Sequence, residues 1–105
     1  MAQFTVCRNK NPQTRSTVPF LLDIQHDLLQ DLETRVVVPL HPVPALQGQT
    51  LRTLMPVLEI EGESFIMVTP QMAGIPKSEL GNPVTRVEKY RFEIIAAIDF
   101  LLTGI

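Results

Sequence analysis

The last segment of the sequence, residues 85–105, most constrains the fold, because its pattern is helical and its surface is apolar on nearly every side. Between Phe92 and Leu102 only Glu93 and Asp99 are polar. A helix of this kind is buried in a large core, a membrane or an interface. The apolar run has about eleven residues, whereas a helix that spans a membrane needs about 20. A chain of 105 residues offers no large core, so we expect part of this helix to contact a partner.

The pattern also predicts where the helix begins and which side faces the core. Thr85 and Glu88 have the spacing of a capping box, and Asn82-Pro83 offers an alternative start. At 100° per residue, one stripe suits packing against a sheet. It consists of Val87, Tyr90, Ile94, Ala97, Ile98 and Leu101. A second stripe consists of Glu88, Phe92, Ile95, Asp99 and Leu102. We predict that the second stripe stays uncovered by the protein's own core.

The end of the helix has its own signal. Gly104 is suited to a left-handed residue just after the last turn, with Ile105 making the apolar contact that accompanies such a cap. This local explanation accounts for Gly104, but it leaves the exposed side of the second stripe without a role.

Upstream, short β-rich segments recur about every ten residues. The predicted strands cover residues 3–8, 18–24, 35–40, 55–60 and 64–69, with Gly62 providing a tight hairpin turn between the last two. We expect Pro39, Pro42 and Pro44 to interrupt regular structure, and residues 76–80 to form one helical turn. The order predicts a mainly β fold with one long C-terminal helix packed on a small sheet or partly open barrel.

Composition limits the environment and the classes of partner. Nine Lys and Arg against eleven Asp and Glu give a net charge of -2, which would not draw the protein to nucleic acid. Cys7 is the only cysteine, as expected in a reducing compartment. We find no leader or membrane anchor near the N-terminus, so we expect a cytoplasmic protein and a single domain spanning residues 1–105.

No motif for catalysis, a metal or a cofactor stands out. His26 and His41 lack ligand spacing, and the serines lack a nucleophile elbow. Four carboxylates form a loose acidic patch that we interpret as solvated: Asp23, Asp27, Asp31 and Glu33. The basic residues of the first loop and the early helix are interpreted as solubilising charges. We therefore predict neither a metal site nor a cofactor.

Several stretches resemble the CcdB toxins of bacterial toxin–antitoxin modules, and the resemblance runs over the whole chain. They are QFTV, LLDIQHDLL, RVVVPL, PVLEIEGESFIMVTPQMAGIP and the terminal Gly-Ile. The resemblance implies a homodimer of SH3-like, partly open barrels, each with a C-terminal helix. It implies no enzyme activity. Such a toxin binds the A subunit of DNA gyrase and traps the enzyme on cleaved DNA, so that DNA is involved only indirectly.

The resemblance also implies a gyrase-binding site. In this family the C-terminal helices lie together near the two-fold axis and their ends contact gyrase. The residues carried over from the helix are Asp99, Leu102, Thr103, Gly104 and Ile105, and those from LLDIQHDLL are His26, Leu28 and Leu29. Thr103 departs from the Trp that precedes Gly-Ile in the best-known member, and the first loop is longer.

A further implied partner is the antitoxin, CcdA, whose disordered C-terminal segment folds along the toxin and displaces it from gyrase. Toxin and antitoxin together would repress their own operon. For an acidic antitoxin segment we consider basic or exposed residues, namely Arg8, Lys10, Arg15, His41 and Val43, the last two in a Pro-rich loop that continues to Ala45.

Two other functions stay open at this point. A sequence-specific endoribonuclease of the MazF type shares the barrel and gene arrangement, and here it would have to use His26, Arg15 and Arg35. An inactive relative would keep the fold and antitoxin binding but lack toxicity, which Thr103 makes conceivable. A net charge of -2 argues against RNA as the substrate.

Overall fold

The structure is a computed structural model that describes residues 2–43 and 52–104. In these two ranges the chain forms a sheet of seven antiparallel strands and one α-helix. The strands are β1 (Thr5–Asn9), β2 (Phe20–Asp23), β3 (Thr34–Pro42), β4 (Val57–Ile60), β5 (Glu63–Met67), β6 (Ala73–Pro76) and β7 (Leu80–Arg86), and the helix is α1 (Arg91–Thr103). Their spatial order is β4-β5-β3-β2-β1-β7, with β6 also paired to β3. The predicted mainly β, partly open barrel with a C-terminal helix is confirmed.

Alternation along the strands divides the apolar residues between the two faces of the sheet. Val6 and Leu22 lie in the larger core, whereas their neighbours Cys7 and Leu21 lie in a smaller cluster, as expected for side chains that point alternately to opposite faces. Helix α1 covers the larger core with Ile94 and Ala97. The sheet therefore has its main core on the helix side and a small second core on the other.

The hairpin that joins β4 and β5 forms as predicted. Glu61 and Gly62 are its central residues, and both have positive φ, 52° and 83°. A two-residue turn with both central φ values positive is type I′, whose twist matches the twist of antiparallel strands. Glycine accommodates one of these positions without strain, so the turn fixes the β4–β5 register.

The predicted start of the helix is wrong. Thr85 lies in β7 opposite Val6 of β1, and α1 begins only at Arg91, with Tyr90 before it providing no side-chain cap. The Asn82-Pro83 alternative also falls within β7. Pairing with β1 overrides the local capping signal, and β7 tolerates Pro83 because it is an edge strand.

The prediction that Pro39 and Pro42 interrupt regular structure is also wrong, since both belong to β3. On one side β3 pairs with β2. On the other side it pairs with β6 up to Val37 and with β5 from Leu40 onward. Pro39 lies between the part of β3 that pairs with β6 and the part that pairs with β5. A residue without an N–H costs the strand fewest hydrogen bonds at such a change of partner. Pro42 is the last residue of β3, and Pro44 lies outside the described residues.

Candidate protein-interaction surfaces

One side of α1 is apolar and open to solvent. Phe92 is 81% exposed and Leu102 is 73% exposed, and Ile95 and Asp99 are also exposed. The opposite side behaves as the sequence predicted, because Ile94 and Ala97 are fully buried. The prediction that the second stripe is left uncovered by the core is therefore confirmed.

The exposed helix side includes a shallow hollow of about 330 Å³, lined by Arg91, Phe92, Ile95, Ala96 and Asp99. The Arg91 guanidinium lies 5.6 Å from the centre of the Phe4 ring, an arrangement that favours a cation–π attraction. An apolar hollow with a cation and a carboxylate at its edges suits a protein partner better than a small molecule.

The carboxyl end of α1 is well defined and exposed. Gly104 has φ 75° and ψ 16°, the left-handed conformation predicted for it, and its N–H donates to the Phe100 carbonyl at 2.8 Å. The Thr103 hydroxyl donates to the Asp99 carbonyl at 2.7 Å. Thr103 thus completes the last turn, and Ile105, the expected apolar contact, lies outside the described residues.

A second exposed apolar surface lies in the loop between β2 and β3. Leu28 is 86% exposed, and Leu29 and Leu32 are about half exposed. His26 stands at the start of a single 3-10 turn, Asp27–Leu29, where its Nδ1 accepts the Leu28 N–H at 3.0 Å. The imidazole therefore supports the backbone of this loop. Leu32 was not among the predicted site residues, because no periodicity in the loop distinguishes an exposed leucine from a buried one.

The prediction that Asp23 belongs to a solvated acidic patch is wrong, because Asp23 is completely buried. Arg35, 1% exposed, binds it through two hydrogen bonds, Nε to Oδ2 at 2.8 Å and Nη2 to Oδ1 at 2.9 Å. Such a bidentate pair brings the two opposite charges into direct contact in the interior. The strand pattern did not reveal this, because a charged residue inside a strand normally marks the solvent side.

Three basic residues, one in β1 and two in the loop that follows it, line the same cleft. Arg8, Lys10 and Arg15 line an open cleft of about 750 Å³ against Gly81 and Asn82 of β7. His41 and Val43, also considered for the antitoxin, do not line this cleft. The loop is shaped by Asn9, whose side-chain N–H groups donate to the Thr14 hydroxyl and the Val18 carbonyl at 3.0 and 2.9 Å.

These surfaces suit protein partners, and the comparison with known families agrees. The profile of one family, described as CcdB protein, matches residues 3–104, nearly the entire chain. The chain belongs to the CcdB family. CcdB proteins are toxins of toxin–antitoxin modules, so the resemblance seen in the sequence is confirmed at the level of family and general function.

Membership in the CcdB family does not favour the endoribonuclease alternative, and the structure weakens it further. That activity needed His26, Arg15 and Arg35 together, but the guanidinium of Arg35 is buried against Asp23 and His26 caps the turn that it begins. Within residues 2–43 and 52–104, no three His, Cys, Asp or Glu side chains cluster as metal ligands would. No helix in the same ranges has the length and apolarity to cross a membrane.

Proposed function

We propose that this CcdB protein binds the A subunit of DNA gyrase and traps the enzyme on cleaved DNA. The observation that carries the proposal is the exposed apolar side of α1, with Leu102 and Asp99 near an exposed helix end. The proposed contacts from the helix are Asp99, Leu102, Thr103, Gly104 and Ile105. The loop contributes His26, Leu28 and Leu29, of which Leu28 is 86% exposed.

The proposed toxin makes and breaks no covalent bond. A protein that binds cleaved, open gyrase more tightly than the resealed form raises the population of the cleaved form. A shift from 1% to 99% cleaved requires about 10⁴-fold tighter binding to the cleaved state. Poisoning is then a matter of differential affinity, so no catalytic residue, metal or cofactor is needed.

A homodimer is part of the same proposal. Phe92 and Ile95 lie in the first half of α1, on its exposed side, where a second copy would cover them across a two-fold axis. In an isologous interface the same patch serves both copies. Each copy would then present its own helix end and loop to one half of a two-fold symmetric target, and every contact with gyrase would be made twice.

The antitoxin CcdA is the proposed second partner. The cleft with Arg8, Lys10 and Arg15 has the charge and the open shape for an acidic, extended segment that orders on binding. In this proposal the antitoxin complex carries the DNA contacts of operon repression, and both proteins act in the cytoplasm.

The test of gyrase poisoning is a plasmid assay with purified gyrase, ATP and supercoiled DNA. Wild-type protein should yield linear plasmid with gyrase bound at its ends. Deletion of residues 103–105 should abolish linear product, while circular dichroism and sedimentation show an unchanged folded dimer. The substitution Gln13→Ser in the exposed first loop serves as the matched control and should retain full activity.

Poisoning that survives the deletion would refute the helix end as the contact. Absence of linear DNA with the wild-type protein, across gyrases of several bacteria, would refute gyrase poisoning altogether. Cleavage of RNA by the same preparation would favour the endoribonuclease instead.

A further inference from the structure

The buried side chain of Gln25 holds the exposed leucines of the β2–β3 loop in place. Gln25 is buried, and its amide group connects two parts of the fold. Its Nε2 donates to the Leu29 carbonyl at 3.0 Å, and its Oε1 accepts the Val36 N–H of β3 at 3.0 Å. Gln25 therefore fastens the turn that carries Leu28 and Leu29 to strand β3.

The buried ion pair fixes Gln25 in turn. The Gln25 N–H donates to Asp23 Oδ1 at 3.0 Å, and Arg35 Nη2 donates to the Gln25 carbonyl at 3.1 Å. Both partners are already locked to each other in the interior. The backbone polar groups of Gln25 are thus satisfied by neighbours that have little freedom to move, which fixes the backbone from which its side chain extends.

Further contacts hold the same loop from outside. The Gln3 N–H donates to Asp27 Oδ1 at 2.7 Å, and Lys77 Nζ donates to the Gln30 carbonyl. The Leu32 N–H donates to the Leu29 carbonyl at 3.1 Å, the same oxygen that Gln25 engages. Leu32 is therefore part of the structure that Gln25 supports, and it is half exposed.

We propose that Gln25 is a positioning residue for target binding, and that Leu32 joins Leu28 and Leu29 as a third contact residue. The proposal rests on the gyrase function proposed above. A loop that is ordered before binding loses less conformational entropy in the complex, and affinity rises accordingly. The buried Asp23–Arg35 pair then serves recognition at a distance, through Gln25, without touching the partner.

The charge of this loop disfavours an acidic antitoxin segment and leaves gyrase as the occupant that we propose. Asp31 and Glu33 are exposed beside Leu32, and an acidic antitoxin segment would be repelled by them. The opposite holds at the cleft with Arg8 and Lys10. The two partners are therefore assigned to surfaces of different charge.

The first test replaces Gln25 with methionine, which has a similar volume but cannot form either hydrogen bond. Gln25→Met should accelerate amide hydrogen exchange in residues 27–32 while leaving exchange in β1 and β5 unchanged. It should also speed dissociation from the gyrase A subunit at least tenfold. The conservative core substitution Ile60→Val, in strand β4, which β5 separates from β3 in the sheet, is the control for a general loss of stability and should leave dissociation unchanged.

The second test does not depend on whether a substitution in the core destabilises the protein. Leu32→Ser changes an exposed side chain, so the protein should fold normally and bind gyrase A at least fivefold more weakly, whereas Gln13→Ser should bind like the wild type. Unchanged gyrase affinity in both Leu32→Ser and Gln25→Met would overturn the inference. Weakened binding to the antitoxin alone would overturn it as well.

The two proposals fail in different ways. If the deletion of residues 103–105 abolishes poisoning but both loop variants bind gyrase A like the wild type, gyrase poisoning stands and the loop inference fails. If wild-type protein does not bind gyrase A, the proposed function itself fails, and the loop inference fails with it.

Discussion

The carbonyl oxygen of Arg8 lies only 2.9 Å from the position that a side-chain carbon on Gly81 would occupy. Strand β1 can approach β7 this closely only because residue 81 is glycine. The contact lies in the cleft that also contains Lys10, and the register between β1 and β7 shifts between Cys7 and Asn9. The glycine thus helps to shape the proposed antitoxin surface.

We expect Gly81→Ala to lower the free energy of unfolding by about 1–3 kcal/mol, since backbone atoms of β1 would have to move. Gly74→Ala is the matched control, because Gly74 also lies in a strand but has nothing within 4 Å of the added carbon. It should be close to neutral. Urea denaturation of both variants measures the difference, and equal stabilities would contradict the tight β1–β7 approach.

Asp23→Asn should be strongly destabilising, although the side chain hardly changes in size. Without the carboxylate charge, Arg35 is left buried and uncompensated, which costs about 3–5 kcal/mol. The exposed pair of Arg86 and Glu88, 2.6 Å apart, provides the contrast, and Glu88→Gln should cost at most about 1 kcal/mol. Chemical denaturation of the two variants at neutral pH checks the prediction, and a mild effect at Asp23 would argue against an ionised pair.

Phe92→Ser should weaken self-association at least tenfold without altering the fold of the subunit, because Phe92 is exposed in the single chain. Sedimentation equilibrium over a range of protein concentrations measures the dissociation constant, and circular dichroism checks the fold. Glu93→Gln, one position away and also exposed, is the control. An unchanged dissociation constant in Phe92→Ser would place the dimer contact elsewhere.

Burial, aided by the Asp23 carboxylate, raises the pKa of the Cys7 thiol from 9.0 to about 11. Between these values the unfolded chain loses the proton while the folded chain keeps it, so the free energy of unfolding should fall as pH rises from 9 to 11. Below pH 9 the thiol contributes no pH dependence. Thermal denaturation of wild type and Cys7→Val across this range isolates the effect, since other groups titrate equally in both. Parallel curves would show that the thiol ionises normally.

The sequence was informative where one local signal acts alone. The Glu61-Gly62 turn needs only positive φ at adjacent residues, and the exposure of Phe92 follows from counting residues around a helix. Thr85 shows the limit of this approach. Its capping signal is genuine as a pattern, yet strand pairing with Val6 involves a residue far away in the sequence, and no local pattern reports it.

In the candidate site, too, some residues could be predicted from the sequence and others depend on contacts between distant parts of the chain. Exposed residues such as Leu28 and Leu102 were found from the family resemblance and the helical pattern. The role that we propose for Gln25 could not be found in this way, because it depends on the Val36 N–H, the Leu29 carbonyl and the buried Asp23–Arg35 pair meeting in three dimensions. Each of these residues alone is unremarkable in the sequence.

The change of partner along β3 limits how this fold can vary in length. An insertion between Val37 and Leu40 would shift the register of β3 against either β6 or β5. A shift of a single residue turns inward-facing side chains outward. Homologous chains should therefore gain or lose residues in the connections, such as the stretch between β1 and β2, and keep the span of β3 constant.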